Sequence, residues 1–536
     1  MSYKSGKQKS VMQHDFGKVA RADIPRAQFD RSYGIKTTFD AGLLVPFLVD
    51  EIVPGDTVNC RATLFARLAT PLHPLMDNMR LETFFFFVPN RLVWSNWTKF
   101  CGEQDDPGDS IDFQIPALGT TGTITTGDLA DYMGLPLSLD VANSTDINAL
   151  PFRAYRLIWN QFFRDENLQN SLLTPSNDGP DTNGELGWAD PPLRRGKRYD
   201  YFTSCLPWPQ KGATAVTIPI GELAPLTTDG NTSGDVEVQK IQGGGTGTQR
   251  FGAASTFVNI TGGQATETTN LFADLSNATA ATINQLRQAF AVQKLLERDA
   301  RGGTRYIEVI KSHFGVSSSD ARLQRPEYLG GGSTPIGIQP VANTTGVAAA
   351  SSPSGEDEFQ GNLSGVGTGL VQGDGFVKSF EEHGFVIGLV NARADLTYQQ
   401  GIDRFWRRNT RYDYLWPVFS HIGEQAVLNS EIWSDGTSAD DDIFGYNGRY
   451  DEYRFKQSQI TGLFRSDAAS SLDAWHLSED FASLPTLGDT FIQDDPPIDR
   501  VVAVPAEPHF LMDGYVNYKH TRPLPLFGTP GMIDHF

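Results

Sequence analysis

Residues His73–Glu103, HPLMDNMRLETFFFFVPNRLVWSNWTKFCGE, carry the reading on which the fold turns. Phe84–Phe87 are four consecutive phenylalanines running into Val88 and Pro89, and each ring can bury ~150–250 Å². The alternation of a half-exposed strand fails here while β-propensity is high, so the run predicts a strand covered on both faces. Pro89 stops it. Such a strand needs large covering structures, and 536 residues can supply them. By itself the run would also suit a core strand of any large β protein.

Further strand signals lie far away in the chain. Val58, Cys60, Ala62, Leu64, Ala66 and Leu68 alternate with Thr57, Asn59, Arg61, Thr63, Phe65 and Arg67, the period of a strand with two unlike faces. Phe385–Val390 predicts another strand, and so do Tyr453 and Phe455 alternating with Arg454 and Lys456, and the short apolar run Val501–Val504. Two helices are predicted in between. Pro151 occupies a first-turn position ahead of Phe152, Tyr155, Trp159, Phe162 and Phe163 at helical spacing. Leu286, Phe290, Leu295 and Leu296 mark a helix over 283–301, which Gly302-Gly303 ends. The Gly-rich tract 330–375 reads as loop, with a hairpin as the alternative. Distant strands that share one core imply a mainly β domain with long insertions containing helices, for which an eight-stranded jelly roll (β-barrel) is the fitting architecture.

The flanks of the phenylalanine run are more specific than the run. Met76-Asp77-Asn78 and Pro89-Asn90-Arg91-Leu92-Val93-Trp94 resemble the corresponding segment of the major capsid proteins of gokushoviruses, small icosahedral single-stranded DNA phages of the microvirus family. The resemblance continues in order along the chain. It covers Val19–Arg26, Phe29–Ser32, Leu44–Phe47 and Pro54–Asp56, then Arg194–Arg198 and Tyr201–Gln210. Arg298–Tyr306, Arg325–Gly332, Arg393–Gly401, Arg522–Pro525 and Pro530–His535 follow. It implies a viral jelly-roll subunit that assembles into a T=1 icosahedral shell of roughly sixty copies around a circular single-stranded DNA genome. It also implies a virion protein made and assembled in the bacterial cytoplasm, and a host cell-surface receptor as partner. The alternative is a jelly-roll glycan-binding or adhesin module.

Charge qualifies this expectation. The net charge is −20, whereas phosphate binding needs Lys and Arg. Residues 1–36 nevertheless carry eight basic and three acidic side chains, 8 − 3 = +5, leaving −25 for the remainder. The segment therefore reads as a basic arm, placed inside a shell, ahead of a single jelly-roll domain over 37–536. An acidic shell also calls for a small basic DNA-binding virion protein. Residues 212–282 are rich in Gly, Ser and Thr and poor in rings, too little apolar material for an independent core. Val216, Ile218, Ile220, Val236 and Val238 suggest short strands within it. In the resembling family such an insertion projects at the threefold axes, so a surface protrusion used in host attachment is expected here.

No catalytic motif appears. The tract 243–250 lacks the Lys-Ser/Thr that completes a P-loop, the nine histidines form no HExxH pair, and GxSxG is absent. The carboxylates at 105–112 and 440–442 lack the spacing of a calcium loop, so no enzyme, metal or cofactor is expected. Cys60, Cys101 and Cys205 read as buried reduced thiols. No run approaches ~18 apolar residues, and no secretory signal is recognisable, so membrane insertion is not expected. One basic-aromatic segment, 403–416, suits either a subunit interface or unpaired bases. Its Arg404, Trp406, Arg407, Arg408 and Arg411 are candidate DNA contacts, together with Lys4, Lys7 and Lys9 of the arm.

Overall fold

The computed structural model describes residues 25–119, 122–139, 147–212, 216, 226–228, 237–238, 248–253, 258–263, 271–273, 283–344 and 360–527. They form two units, one spanning Met1–Pro207, Arg305–Lys311 and Gly315–Phe536, the other Trp208–Thr304 and Ser312–Phe314. The first unit opens with β1 (Ala27–Asp30), β2 (Tyr33–Phe39), β3 (Val45–Ile52), β4 (Thr57–Leu68) and β5 (Met79–Pro89). The second contains β6 (Leu226–Thr228), β7 (Glu237–Val238), β8 (Thr248–Ala253), β9 (Val258–Gly263) and β10 (Leu271–Ala273). The first unit resumes with β11 (Glu327–Ala342), β12 (Leu363–Ser379) and β13 (Gly384–Ala394). It closes with β14 (Glu424–Leu428), β15 (Ile443–Gly448) and β16 (Phe510–Arg522).

In the first unit an antiparallel path runs β1-β16-β4-β12-β11-β5-β13-β3, with β2 also pairing β16. The path turns a corner at its middle. Glu327–Ile336 of β11 pair with β5, whereas Gly337–Ala342 pair with β12, and β12 from Thr368 onward pairs with β4. Two sheets result, a front one of β1/β2, β16, β4 and β12 and a back one of β11, β5, β13 and β3. Both inner faces feed one core, in which Val58, Cys60, Leu64 and Leu68 of β4 meet Phe85 and Phe87 of β5, Val386 and Val390 of β13, and Phe510 and Val516 of β16. This is the expected jelly roll. Its open side is tied by Tyr33, whose hydroxyl donates to the Phe47 carbonyl at 2.9 Å, and by Arg31 on the Asp50 carboxylate at 2.7 Å.

The phenylalanine run behaves as its composition demands. Phe85 points into the barrel, with Phe47 and Phe376 each 5.6 Å away between ring centres. Phe86 points outward, 4.7 Å from Phe162 and 5.8 Å from Phe163. Those rings come from the helix Leu150–Ile158 and its π-helical continuation Trp159–Phe163. Trp94, Phe152, Tyr155, Trp159 and Trp188 complete an outer apolar layer over the back sheet. A fully buried Arg153 pins it, donating to Asp181 at 2.6 and 2.8 Å and to the carbonyls of Val93 and Asn177 at 3.0 and 2.9 Å.

Several expectations need correction. Tyr453 and Phe455 are not in a strand: Asp451–Tyr453 is a 3-10 turn entered by Tyr450 at φ 66°, and the two rings serve packing, Tyr453 under Arg408 and Phe455 against Tyr201. Val501–Val504 is not a strand either. It follows the 3-10 turn Ile498–Arg500, with Val501 and Val502 packed in the main core. For the tract 330–375 the hairpin alternative, not the loop, holds over the described residues. The ends of the tract are the long strands β11 and β12, which form the hairpin at the corner. Cys60 and Cys205 are buried thiols outside any disulfide, but Cys101 is exposed. The basic start is partly body: Ala27–Asp30 and Tyr33–Phe39 pair with β16, so Arg31 and Lys36 serve the barrel through Asp50 and Asp513.

In the second unit β6 pairs with β10, and β7, β8 and β9 form a three-stranded antiparallel sheet. The helix Ile283–Gly302 ends as Gly303 adopts φ +104°. Val238 lies in β7 and Val216 in no regular element, while Ile218, Ile220 and Val236 lie outside the described residues.

Candidate assembly and nucleic-acid surfaces

The basic-aromatic segment leaves the barrel after β13 and packs on the β14–β15 hairpin. Asp403 begins its first turn by accepting from the Phe405 amide at 3.2 Å. Thr410 begins the second, and Asp413 reaches back to accept from the Thr410 amide at 2.7 Å, the Thr410 hydroxyl at 2.9 Å and the Asn409 amide at 3.0 Å. Hydrogen bonds from Thr410, then Asn409, hold the Asp413 carboxyl below its ordinary range.

The guanidinium groups of this segment largely face inward. Arg404 donates to the Ala426 carbonyl at 2.8 Å and to Glu431 at 3.1 Å. Glu431 is 4% exposed and also accepts from the Tyr201 hydroxyl at 2.8 Å. Burial pushes its carboxyl above the usual value, and Arg404 opposes that rise. Arg407 donates to Ser430 and Asp441, and to the Asp440 carbonyl at 3.2 Å. Arg408 lies 4.2 Å above the Tyr453 ring and 3.8 Å from Glu452. Arg404 and Arg407 are therefore hydrogen-bonded within the subunit, and Arg408 is held there by its ring stacking and the Glu452 carboxylate. Arg411 stacks 4.8 Å over Trp416 at an exposed position, and Trp406 is 74% exposed. Lys4, Lys7 and Lys9 lie outside the described residues.

Around Trp406 the exposed surface is apolar to an unusual degree. Tyr412, Val418 and Ile422 are 66, 78 and 60% exposed, within one continuous stretch. Large apolar side chains exposed in such number along one segment are what a larger assembly covers.

A second surface escaped the sequence reading. The outward residues of β4, Arg61, Thr63, Phe65 and Arg67, face solvent on the front sheet, which carries no outer layer among the described residues of its unit. The signal was present in the alternation of Thr57–Leu68, whose second face sets a phenylalanine between arginines and short polar groups.

No group of three His, Cys, Asp or Glu that could hold a metal occurs among the described residues. Asp109 closes a turn by accepting from the amides of Asp105 and Asp106 at 3.2 and 3.1 Å, and Asp440 accepts from Ser434 and the Gly436 amide. Asp494, 2% exposed, lies 4.0 Å from Arg393. Burial pushes its carboxyl up to about 6 against the pull of Arg393, Arg195 and Lys197. No helix among the described residues is long and apolar enough to cross a membrane.

Comparison with known proteins gives this arrangement its context. Residues 17–532 match the phage family described as capsid protein (F protein). The chain is 46% identical to capsid protein VP1 of Bdellovibrio phage phiMH2K, with 98% of each chain covered. It is 41% identical to capsid protein VP1 of Chlamydia phage 1 with 99% of each covered, and 35% identical to that of Spiroplasma virus 4 with 97% of each covered. All three are gokushovirus proteins, as the residue-level resemblance implied. A phage capsid protein is a component of the virion, and it works through repeated contacts between copies. The chain belongs to the phage capsid protein (F protein) family.

Proposed function

We propose that this chain is the major subunit of a T=1 icosahedral shell of roughly sixty copies that encloses a circular single-stranded DNA genome, and that it has no enzymatic role. The observation that carries the reading is the near full-length likeness to three phage capsid proteins. The exposed apolar stretch around Trp406 and Val418 supports it as a surface buried between copies. The lysines Lys4, Lys7 and Lys9, with Trp406 and Arg411, remain candidate DNA contacts in this proposal. Arg404, Arg407 and Arg408 stabilise the subunit and present the aromatic stretch. At a net charge of −20 the shell needs a small basic virion protein to neutralise the genome.

Residues 212–282 are the proposed threefold protrusion, used to meet a host-cell receptor. Residues 1–26 are the proposed internal arm. The test is production of the chain together with its genome in a bacterial host, followed by nuclease treatment and sedimentation. Circular single-stranded DNA should survive inside particles that sediment as one species. Particles whose DNA is wholly digested would refute enclosure. Shells lacking 212–282 should form and fail to adsorb, and undiminished adsorption would remove the attachment role.

A further inference from the structure

The back sheet of the barrel is covered on both sides, but the front sheet presents its outer face to solvent. That face is neither plainly polar nor plainly apolar. Along β4 it shows Arg61, Thr63, Phe65 and Arg67 in succession. On the neighbouring β16, Tyr515 stands opposite Thr63, and Asn517 opposite Arg61. Phe65 is 45% and Tyr515 53% exposed. Lys36 is paired with Asp513 at 2.8 Å, and Lys519 stands opposite Asp30. Arg61 and Arg67, like Lys519, are exposed cations with no ion pair among the described residues, on a chain whose net charge is −20.

We propose that the outer face of the front sheet is where a single strand of DNA lies, with Arg61 and Arg67 on phosphates and with Phe65 and Tyr515 beneath bases. The inference rests on the reading that the shell encloses single-stranded DNA. A groove that tracks the backbone with cations and offers rings for stacking is the general design of such sites. Alternate residues of a strand recur every ~6.8 Å, comparable with the reach of one nucleotide in an extended chain. Rings on adjacent strands one diagonal step apart lie ~7–8 Å from each other, so Phe65 and Tyr515 can receive neighbouring bases. Beside Phe65 and Arg67 a cleft of about 780 Å³, walled also by Tyr132, Leu137 and Leu511, has room for a base turned aside.

The candidates at 404, 407 and 408 contrast with this face, because their guanidinium groups are already held by Glu431, Ser430, Asp441 and Tyr453. A second copy of the chain is the weaker occupant. Leu370 and Leu511, 48 and 52% exposed, flank Phe65 and add apolar area, but the two unpaired arginines, with Asn59, Thr63 and Asn517 among the rings, suit a phosphate backbone better than the charge-depleted centre of a subunit interface.

The test uses the full, unassembled chain and a labelled thirty-nucleotide oligo-dT, with the double substitution Arg61→Gln and Arg67→Gln. Each lost phosphate contact should reduce the slope of log affinity against log salt by about 0.7. The double variant should therefore lose about 1.4 from the slope, and on the order of 50-fold in affinity at about 50 mM salt. Each single variant should lose about half of that slope change. Ultraviolet crosslinking of unaltered, genome-filled particles should place DNA on peptides containing Phe65 and Tyr515. Unchanged affinity and slope in the double variant, or crosslinks confined to 403–416, would overturn the inference even where particles remain full of DNA. Loss of shells with oligonucleotide binding intact would assign the face to contact between copies and equally overturn it. The DNA content of unaltered particles tests enclosure separately.

Discussion

Truncating the outward phenylalanine of the run should damage the subunit as severely as truncating the inward one. Phe86 is 1% exposed on the side away from the barrel core, and Phe85 is 0% exposed within it. Each ring buries ~150–250 Å², which at about 25 cal/mol per Å² corresponds to roughly 4–6 kcal/mol of burial. Ala retains part of this, and a cavity term is added, so Phe86→Ala and Phe85→Ala should each destabilise by roughly 3–5 kcal/mol. Phe86 also loses Phe162 at 4.7 Å, Tyr328 at 5.5 Å and Phe163 at 5.8 Å. Phe65→Ala is the control, because that ring lies on the uncovered front face at 45% exposure and should change stability by under about 1 kcal/mol. Urea unfolding of the unassembled chain, followed by tryptophan fluorescence, gives all three values. A cost near that of Phe65→Ala for Phe86→Ala, with the full cost for Phe85→Ala, would refute the claim that the strand is covered on both faces.

Other consequences concern charge and assembly. Arg153→Met strands Asp181, which is 1% exposed, and should destabilise by about 3–5 kcal/mol in the same assay. Adding Asp181→Leu should recover much of that loss. Asp494 has a folded pKa of about 6 against the ordinary 3.8. Because the folded value is the higher one, its contribution favours folding at pH below the unfolded value and turns against it as pH rises through 6. Asp494→Asn should therefore stabilise by about 3 kcal/mol at pH 7.5 and lose that advantage toward pH 4. The difference between the two proteins is what must be measured, since the buried His520, held below its ordinary value by burial, shifts stability the opposite way as pH falls. Trp406→Ala with Val418→Ser should lower shell yield at least about tenfold while leaving the melting point of the free chain within about 2 °C, as expected of exposed positions. A shifted melting point with normal shells would place these residues in the fold instead.

Where one physical effect dominated, the fold was readable from sequence. Thr57–Leu68 became β4 with the expected face buried because alternation there is unbroken over twelve residues. Phe84–Val88 and Phe385–Val390 were legible because no other arrangement hides so many contiguous apolar groups. The Gly-rich strands β11 and β12 were illegible for the complementary reason. A Cβ at Gly331 would collide with the Thr83 carbonyl, and one at Gly375 with the Cys60 carbonyl. Glycine marks close backbone approach at these positions, and composition alone reads it as loop. Tyr453 and Phe455 misled because four residues of alternation cannot separate a strand from a turn whose rings are packed from two sides. The candidate site was half legible. The rings and cations of 403–416 were identified, but which arginines are satisfied by Glu431, Ser430 and Asp441 depends on the β14–β15 hairpin some twenty to forty residues onward. The front face of β4 was in view as a pattern of residues, yet its lack of cover is a property of the whole barrel.

Cryo-electron microscopy of particles purified from cells producing the full chain with its genome tests the central claim most directly. Uniform closed icosahedral shells with one chain per asymmetric unit, roughly sixty copies in all, are predicted. Monomers, small rings, or a larger lattice with several chains per asymmetric unit would contradict it.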